Sequence, residues 1–281
     1  KILNKIESNS IIHVFTLKSG VLYSIANIFT KNDLTSVLSI NGLGYIFSKN
    51  KKAIFIKFLL SLFINKLFNR SFKTIIFQNN NDKETFKNFS KFEGNTILIP
   101  GSGLETNNYI LKDNYNKENL KVIFVGRLLI DKGVKEYINL ANKIKNTNIK
   151  FYLAGEIDSG NPNSITELEL NEISSNKKIE YIGLLDVANN LKNFDISIVM
   201  SKYEGFSRIL LESVYVGLFC ISNNIPGTEW LNDFKNAELV KNNNLDNFYQ
   251  ILNSFNNYDF SKRNAEENRM LINKNFSSKI I

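Results

Sequence analysis

Short apolar runs alternate along the chain with longer segments in which apolar residues recur at helical spacing. This alternation predicts parallel strands joined by helices, and therefore doubly wound sheets. The predicted strands are 11–15, 36–40, 74–77, 122–125, 151–154, 179–182 and 196–200, and segment 96–103 closes the first unit. Segment 106–119 is rich in Asn and Lys and is predicted to be a linker. The pattern therefore predicts an α/β protein with two domains, 1–112 and 113–258, followed by a C-terminal helix in 259–281.

Composition agrees with two folded domains. The chain has 281 residues, of which 43% are hydrophobic, and this is enough for two cores of ordinary size. Cys220 is the single cysteine and falls in a strand-like run, so it is predicted to be a buried structural thiol. One cysteine excludes an internal disulfide and a cysteine zinc site, and it suits a cytosolic protein.

Two glutamates with seven residues between them, Glu204 and Glu212, form the first chemical motif. The apolar run 196–200 precedes them and helical spacing follows, so the segment predicts strand, turn and helix, with Gly205 permitting the turn. The backbone amides expected at the helix start belong to Phe206, Ser207 and Arg208. Such amides bind anions, and a carboxylate further along suits a diol such as ribose. The alternative is that Glu212 forms only a surface ion pair with Arg208, four residues earlier.

Two cations after the strand at 122–125 form the second motif. Gly126 and Arg127 end the strand, and Lys132-Gly133 opens the next helix. Parallel sheets bind ligands at the carboxyl ends of their strands, so Arg127 and Lys132 are expected to project there. A guanidinium and an ammonium together suit a diphosphate. The alternative is a turn that carries two solvated cations.

Both motifs, in this order, resemble those of the retaining GT-B glycosyltransferases of family 4. Segment 201–212 resembles the Glu-x7-Glu motif of that family, and Gly126-Arg127 with Lys132-Gly133 resembles its diphosphate-binding pair. Segments 151–155, 179–183 and 226–229 add to the likeness, which covers nearly all of the chain. The resemblance implies two Rossmann-like domains, with doubly wound parallel sheets, that face each other across a cleft.

The resemblance implies transfer of a sugar, with retention, from a nucleotide-diphosphate donor such as a UDP-sugar, by a hexosyl- or N-acetylhexosaminyl-transferase. The catalytic residues that it implies are Glu204, Arg127, Lys132 and His13. The donor-binding residues that it implies are Gly126, Arg127, Lys132, Gly183, Glu204, Gly205, Phe206, Ser207, Arg208 and Glu212. The cations and the helix start would stabilise the leaving diphosphate. Because no Asp-x-Asp pair is present, no metal or other cofactor is expected.

Segments 13–18, 41–45 and 77–79 resemble the branch of the family that extends undecaprenyl-diphosphate-linked oligosaccharides in bacteria. This likeness implies a glycan or polyprenyl-diphosphate-linked acceptor, in surface polysaccharide or glycoprotein-glycan assembly. The acceptor-side residues that it implies are Lys18, Gly42 and Gly44. His13 is expected at the end of its strand, near the donor sugar or acceptor; the alternative is a structural hydrogen bond.

Two other functions fit the same fold. A sugar-nucleotide epimerase would need further acid and base groups, and the single histidine argues against it. A catalytically silent sugar-nucleotide-binding protein would not need the acidic and basic motif residues, all of which this chain keeps. A transferase is therefore the preferred interpretation.

Charge is placed unevenly along the chain. Residues 1–112 carry 15 Lys and Arg against 6 Asp and Glu, whereas 113–281 carry 20 against 21. Many of these cations lie in 49–73, and no acidic residue occurs between Asp33 and Asp82. No nucleic-acid recognition motif accompanies this basic segment, so nucleic acid is not expected as a partner.

The basic segment 49–73 is also strongly apolar. Its apolar run, interrupted by Lys57 and Lys66, is shorter than the roughly 20 residues that a spanning helix needs. A basic, apolar helix suits the surface of an anionic membrane, which predicts a cytoplasmic protein at the inner face of the plasma membrane. The alternative is a helix packed against the first sheet, with its lysines extended to solvent.

The resemblance also implies that elements are missing at both ends, so that the first domain is incomplete. A full member would begin with a strand and a Gly-rich loop, whereas this chain begins at Lys1-Ile2-Leu3, in what is expected to be a later helix. It ends at Ile280-Ile281, which is expected to lie within the last helix. Ser19 stands where the family pattern suggests proline, and the loop after Glu229 is short.

Overall fold

The structure is a computed structural model that describes residues 6–7, 10–29, 34–48, 50–175, 178–241 and 244–281, without the side chain of Tyr45. Lys49, Asp33 and the expected first helix at Lys1-Ile2-Leu3 lie outside the described residues. The chain forms two compact units. The first consists of Lys1–Ser102 with Tyr203–Phe206, and the second of Gly103–Lys202 with Ser207–Ile281.

A four-stranded, entirely parallel sheet lies at the centre of the first unit, in the order β1-β2-β3-β4. Its strands are β1 (Ile11–Phe15), β2 (Thr35–Ile40), β3 (Thr74–Phe77) and β4 (Asn95–Leu98). The helices are α1 (Leu17–Ile28), α2 (Lys51–Ser61), α3 (Ile64–Ser71) and α4 (Asn80–Ser90). Leu38 and Ile75 from the sheet pack with Phe68 of α3 and Phe86 of α4 in one buried cluster. Helices α3 and α4 thus pack their apolar sides against the sheet.

The apolar segment predicted as one helix forms two helices, which corrects the sequence analysis. Phe63 leaves helical geometry (φ −135°, ψ −12°) and becomes the residue that precedes α3. Ile64 and Phe68 of α3 are buried in the core, but in α2 only Ala53 is buried. None of the helices in the described part of the chain is long and apolar enough to cross a membrane.

The second unit is built on a six-stranded sheet, again all parallel, in the order β10-β9-β8-β5-β6-β7. Its strands are β5 (Leu120–Val125), β6 (Ile149–Ala154), β7 (Ile179–Tyr181), β8 (Ile196–Val199), β9 (Phe219–Asn223) and β10 (Ala237–Val240). Its helices are α5 (Val134–Lys143), α6 (Glu167–Ser175), α7 (Val187–Asn190), α8 (Arg208–Val216), α9 (Leu245–Asn253) and α10 (Lys262–Asn275). The prediction of parallel α/β sheets is confirmed in both units.

The core of the second unit contains the polar side chains of Tyr137 and Cys220. Tyr137 of α5 is fully buried, and its hydroxyl donates to the carbonyl oxygens of Val122 and Tyr152 at 3.0 and 2.8 Å. Cys220 on β9 is buried as predicted, and burial raises the pKa of its thiol, which makes the group unreactive.

The end of the chain also differs from the expectation. Helix α10 stops at Asn275, so Ile280-Ile281 lie beyond the last helix rather than within it. The cause is pairing with the start of the same unit. The amide of Leu104 donates to the carbonyl of Phe276 at 2.8 Å, and the amide of Ser278 donates to the carbonyl of Leu104 at 3.1 Å. Extended pairing of this kind is incompatible with another helical turn.

A buried ion pair fixes the segment that leads into β5. Lys112 Nζ lies 2.7 Å from Asp195 Oδ1, and both side chains are almost fully buried. The other carboxylate oxygen of Asp195 accepts the backbone amide of Lys121 at 2.8 Å. The segment at 106–119, predicted to be a linker, is therefore anchored beside β8 through Asp195.

Replacing Lys112 by Met should lower the free energy of unfolding by about 3 kcal/mol, because Asp195 would remain as a buried charge without a partner. Adding Asp195→Asn should recover most of this loss, since the amide oxygen can still accept from Lys121 and carries no charge. Urea unfolding of the wild type and of both variants measures the effect. If the double variant is as unstable as Lys112→Met, charge burial is not the cause.

Candidate active site

Three glycines follow three neighbouring strands at the carboxyl edge of the second sheet. Gly126 follows β5, Gly155 follows β6 and Gly183 comes after β7. Backbone amides link them: Gly155 donates to the carbonyl of Gly183 at 2.8 Å, and Gly126 donates to that of Ala154 at 3.0 Å. A Cβ on Gly155 would lie 1.8 Å from the carbonyl oxygen of Gly126, so no side chain fits there. Closely packed backbone, rather than side chains, therefore forms this edge at Gly126 and Gly155.

The loops after β5 and β8 meet beside this edge. Gly133 has a left-handed backbone (φ +84°), and a Cβ there would lie 2.4 Å from the carbonyl oxygen of Met200. The amide of Lys202 donates to the carbonyl of Asp131 at 2.9 Å. Glycine is required at 133 both by its conformation and by this close approach. The contact fixes the loop that carries Lys132 against the loop that follows β8.

Arg127 and Lys132 lie where the sequence analysis expected them, in the loop at the carboxyl end of β5. The guanidinium of Arg127 forms an ion pair with Asp158, with 2.9 Å between Nη1 and Oδ2, and its side chain is 62% exposed. Asp158 comes from the loop after β6, and its backbone amide donates to the hydroxyl of Ser164 at 3.0 Å. Arg127 is thus held over the edge by an acidic neighbour while remaining accessible to solvent.

Helix α8 begins at Arg208, and Ser207 is its N-cap residue. The amide of Ser207 donates to the carbonyl of Gly227 at 3.2 Å, which corrects the expectation that this amide is available to an anion. The loop 226–229, which the sequence analysis placed after the motif, supplies that carbonyl. An anion at this end of α8 would therefore meet the later amides of the first turn and the positive end of the helix dipole.

Glu212 is 8% exposed and accepts two hydrogen bonds on one oxygen. Tyr109 donates its hydroxyl to Oε1 at 2.8 Å, and Arg208 donates Nε to the same oxygen at 2.9 Å. The predicted ion pair with Arg208 is present, but the carboxylate is buried and has a second partner, unlike an ordinary surface pair. Burial, followed by the hydrogen bond to Glu212, raises the pKa of Tyr109 to about 12, so its phenol is a neutral donor at physiological pH.

Glu204, Gly205 and Phe206 belong to the first unit, where Gly205 is packed tightly. Asn79 donates Nδ2 to the carbonyl of Gly205 at 2.8 Å, and a Cβ on Gly205 would lie 1.9 Å from the carbonyl oxygen of Asn41. A Cβ on Gly42 would lie 3.2 Å from the amide nitrogen of Gly205. The structure therefore brings Gly42, predicted for the acceptor, into contact with Gly205, predicted for the donor.

The remaining predicted residues of the first unit lie on or after β1 and β2. His13 is the third residue of five in β1 rather than its end, which corrects the sequence analysis. Its Nε2 lies 2.7 Å from the hydroxyl oxygen of Ser39, and its ring stacks on Phe15 at 4.2 Å. This is the structural hydrogen bond that the sequence analysis kept as an alternative. Lys18 is exposed near the start of α1, and Gly44 has a positive φ and open space around it.

Sequence reasoning missed two side chains that contact the predicted residues. Tyr109 is 103 positions from Glu212, and Asp158 is 31 positions from Arg127. Neither lies within a motif, and no periodic pattern indicates either contact. Within the described residues, no group of three His, Cys, Asp or Glu side chains is placed to hold a metal ion.

The fold is that of the GT-B glycosyltransferases, as its likeness to solved structures shows. The sucrose-phosphate synthase of Thermosynechococcus elongatus matches with a TM-score of 0.76 at 16% identity, over 96% of this chain and 70% of the other. Anabaena HepE, in complex with UDP and glucose, matches with a TM-score of 0.74 at 18% identity, over 96% and 74%. TarM matches with a TM-score of 0.75 at 18% identity, over all of this chain but 55% of the other.

Sequence comparison assigns the chain to a family within this class. The family model of glycosyl transferases group 1 matches residues 106–273, which is more than half of the chain. The chain therefore belongs to the glycosyl transferases group 1 and is a glycosyltransferase. The matched range contains Gly126, Arg127, Lys132, Glu204 and Glu212.

One relative with an assigned activity matches almost the whole chain. It is the UDP-Gal:alpha-D-GlcNAc-diphosphoundecaprenol alpha-1,3-galactosyltransferase of Escherichia coli, 25% identical over 272 residues. The match covers 90% of this chain and 67% of the relative.

Proposed function

We propose that the protein is a retaining glycosyltransferase of family 4 that transfers a hexose or N-acetylhexosamine from a UDP-sugar to a glycan or polyprenyl-diphosphate-linked acceptor. The Glu-x7-Glu spacing of Glu204 and Glu212 supports the family and the stereochemistry. The HepE complex and the E. coli galactosyltransferase support UDP-sugar as donor, and the latter also supports a lipid-linked acceptor. The proposed setting is surface polysaccharide or glycoprotein-glycan assembly.

The observation that carries the proposal is the carboxyl edge of the second sheet. There a glycine-lined edge, two cations on one loop and the start of α8 occur in a single unit, with a buried carboxylate in the first turns of that helix. This combination suits a nucleoside diphosphate, because the cations match the phosphates and the carboxylate matches a ribose diol.

The proposed roles follow from the chemistry of each group. Arg127, Lys132 and the start of α8 bind the diphosphate and stabilise the negative charge that develops as it leaves. Glu212 accepts hydrogen bonds from the ribose hydroxyls, and Glu204 binds hydroxyls of the transferred sugar. Side chains carry out the charge stabilisation in this proposal, which assigns no metal or other cofactor. Lys18, Gly42 and Gly44 are assigned to the acceptor side, with His13 near the reacting groups.

A lipid-linked acceptor requires the enzyme to work at a membrane, and we assign this contact to the surface of α2. Large apolar side chains are exposed on α2 and immediately after it: Ile54, Phe55, Ile56, Phe58, Leu59 and Leu62. Lys51, Lys52 and Lys57 lie on the same helix and Lys66 on the next. Apolar side chains among cations suit an anionic bilayer, which points to the cytoplasmic face of the plasma membrane. The occupant of this surface is thus proposed to be lipid.

A transfer assay tests the proposal. The protein is incubated with UDP-sugars and with undecaprenyl-diphosphate-linked N-acetylglucosamine, and UDP release and the mass of the lipid-linked product are followed. Acceptor-dependent UDP release with a product that keeps the anomeric configuration of the donor is expected. Interconversion of the UDP-sugar without transfer would indicate an epimerase, and tight UDP binding without any turnover would indicate a silent binding protein.

Glu212→Gln should weaken the binding of UDP more than that of 2′-deoxy-UDP. The wild-type carboxylate is proposed to accept from the ribose hydroxyls, and an amide accepts more weakly than a carboxylate. A loss of about 1.5 kcal/mol for UDP is expected, in the range of a hydrogen bond to a charged group. Isothermal titration calorimetry with both nucleotides measures it. Equal losses for the two ligands would show that Glu212 serves only the helix.

A further inference from the structure

The residue of interest is Tyr109, which lies outside every motif of the sequence. It follows a short 3-10 turn at Thr106–Asn108, and its neighbours are anchored on both sides. The amide of Ile110 donates to the carbonyl of Ala188 at 3.0 Å, and that of Lys112 donates to the carbonyl of Val216 at 2.9 Å. The backbone thus holds the Tyr109 side chain against α8, where its ring makes an edge contact with Tyr215 at 6.0 Å.

The hydroxyl of Tyr109 acts on one particular atom of α8. Tyr109 and Arg208 both donate to Oε1 of Glu212, at 2.8 and 2.9 Å. The other oxygen, Oε2, accepts no hydrogen bond from the described residues, and the Glu212 side chain is 10% exposed. Two donors on one oxygen fix the rotation of the carboxylate and leave the lone pairs of the second oxygen available.

We propose that Tyr109 is a positioning residue for nucleotide recognition: it holds Glu212 so that Oε2 accepts from a ribose hydroxyl, which makes the site selective for ribonucleotides. The proposal rests on the donor site assigned above. It gives the two partners of Glu212 different tasks. Arg208 is more than half exposed and lies at the start of α8, where a bound anion attracts it, whereas Tyr109 is neutral and stays with Glu212.

Tyr109→Phe tests this assignment, because it removes the hydroxyl and keeps the ring that packs on Tyr215. UDP affinity should fall about fivefold, as for loss of one orienting hydrogen bond, while the affinity for 2′-deoxy-UDP should change less than about twofold. Tyr115→Phe is the matched control. Tyr115 lies in the same segment and its hydroxyl donates to the carbonyl of Lys112, so its loss should leave the ratio of the two affinities unchanged.

A double-mutant cycle with Glu212→Ala shows whether Tyr109 acts through Glu212. In the alanine background, Tyr109→Phe should have no further effect on UDP binding, because the carboxylate that it positions is absent. The inference is overturned if Tyr109→Phe weakens both nucleotides equally, or if its effect persists in the Glu212→Ala protein. Those outcomes leave the proposed donor site intact. The donor site itself is rejected if both Glu212→Gln and Glu212→Ala keep the wild-type ratio of UDP affinity to 2′-deoxy-UDP affinity. It is also rejected if the wild type does not bind UDP.

Discussion

Replacing Arg127 and Lys132 together by alanine should remove most of the affinity for UDP. Each cation is proposed to form charged hydrogen bonds with the diphosphate, and each such bond contributes about 1.5–3 kcal/mol. The loss is increased by Asp158, which is paired with Arg127 and would face the diphosphate as an uncompensated negative charge. A decrease of about a hundredfold or more in the association constant is therefore expected from calorimetric titration.

The matched control removes two cations from the amino-terminal ends of strands in the same sheet. Lys121 and Lys150 are exposed residues near the starts of β5 and β6, at the end opposite to Arg127. Lys121→Ala with Lys150→Ala changes the net charge equally and should leave UDP affinity within about twofold, apart from long-range effects that salt screens. If both double variants lose the same affinity, attraction by the overall charge explains the result and the assigned site is wrong.

Replacing Lys51, Lys52, Lys57 and Lys66 by Gln should release the protein from anionic vesicles. Each cation close to such a surface contributes about 1 kcal/mol, so four together correspond to about a thousandfold change in partitioning. Sedimentation with vesicles that contain an anionic lipid measures the bound fraction. Raised salt should have a similar effect on the wild type, because it screens the same attraction. UDP binding by the variant should be unchanged.

The control removes the same number of positive charges from another part of the protein. Lys121, Lys145, Lys150 and Lys241 are exposed on the second unit, and their replacement by Gln should leave vesicle binding nearly intact. A second variant, Phe55→Ser with Phe58→Ser, separates insertion of apolar side chains from charge attraction and should also weaken binding. Vesicle binding that persists in the four-lysine variant, or that falls equally in the control, would contradict the membrane role of the α2 surface.

Local patterns were sufficient to predict most of the fold. The apolar runs at 11–15 and 74–77 coincide with β1 and β3, and the predicted helix after Lys132-Gly133 is α5. These predictions succeed because buried parallel strands are apolar runs and their crossover helices are periodic. The two helices α2 and α3 could not be separated, because the apolar run continues through the break at Phe63 and the sequence contains neither Gly nor Pro there.

The partners of the proposed site residues were beyond sequence reasoning for a different reason. Tyr109 reaches Glu212 and Lys112 reaches Asp195 only after the sheet of the second unit has formed, and the intervening separations are 103 and 83 residues. Such contacts leave no trace in spacing or composition. The same holds for Gly205, whose packing against Asn41 and Asn79 depends on the arrangement of the first unit. Motifs thus indicated the chemical groups, and the fold supplied the residues that orient them.

A crystal structure of the protein with bound UDP would show the donor site itself. Diphosphate oxygens should lie within hydrogen-bond distance of Arg127 and Lys132, and Oε2 of Glu212 should accept from a ribose hydroxyl while Tyr109 remains on Oε1. UDP bound away from the carboxyl edge of the six-stranded sheet, or with its diphosphate distant from both cations, would contradict this assignment.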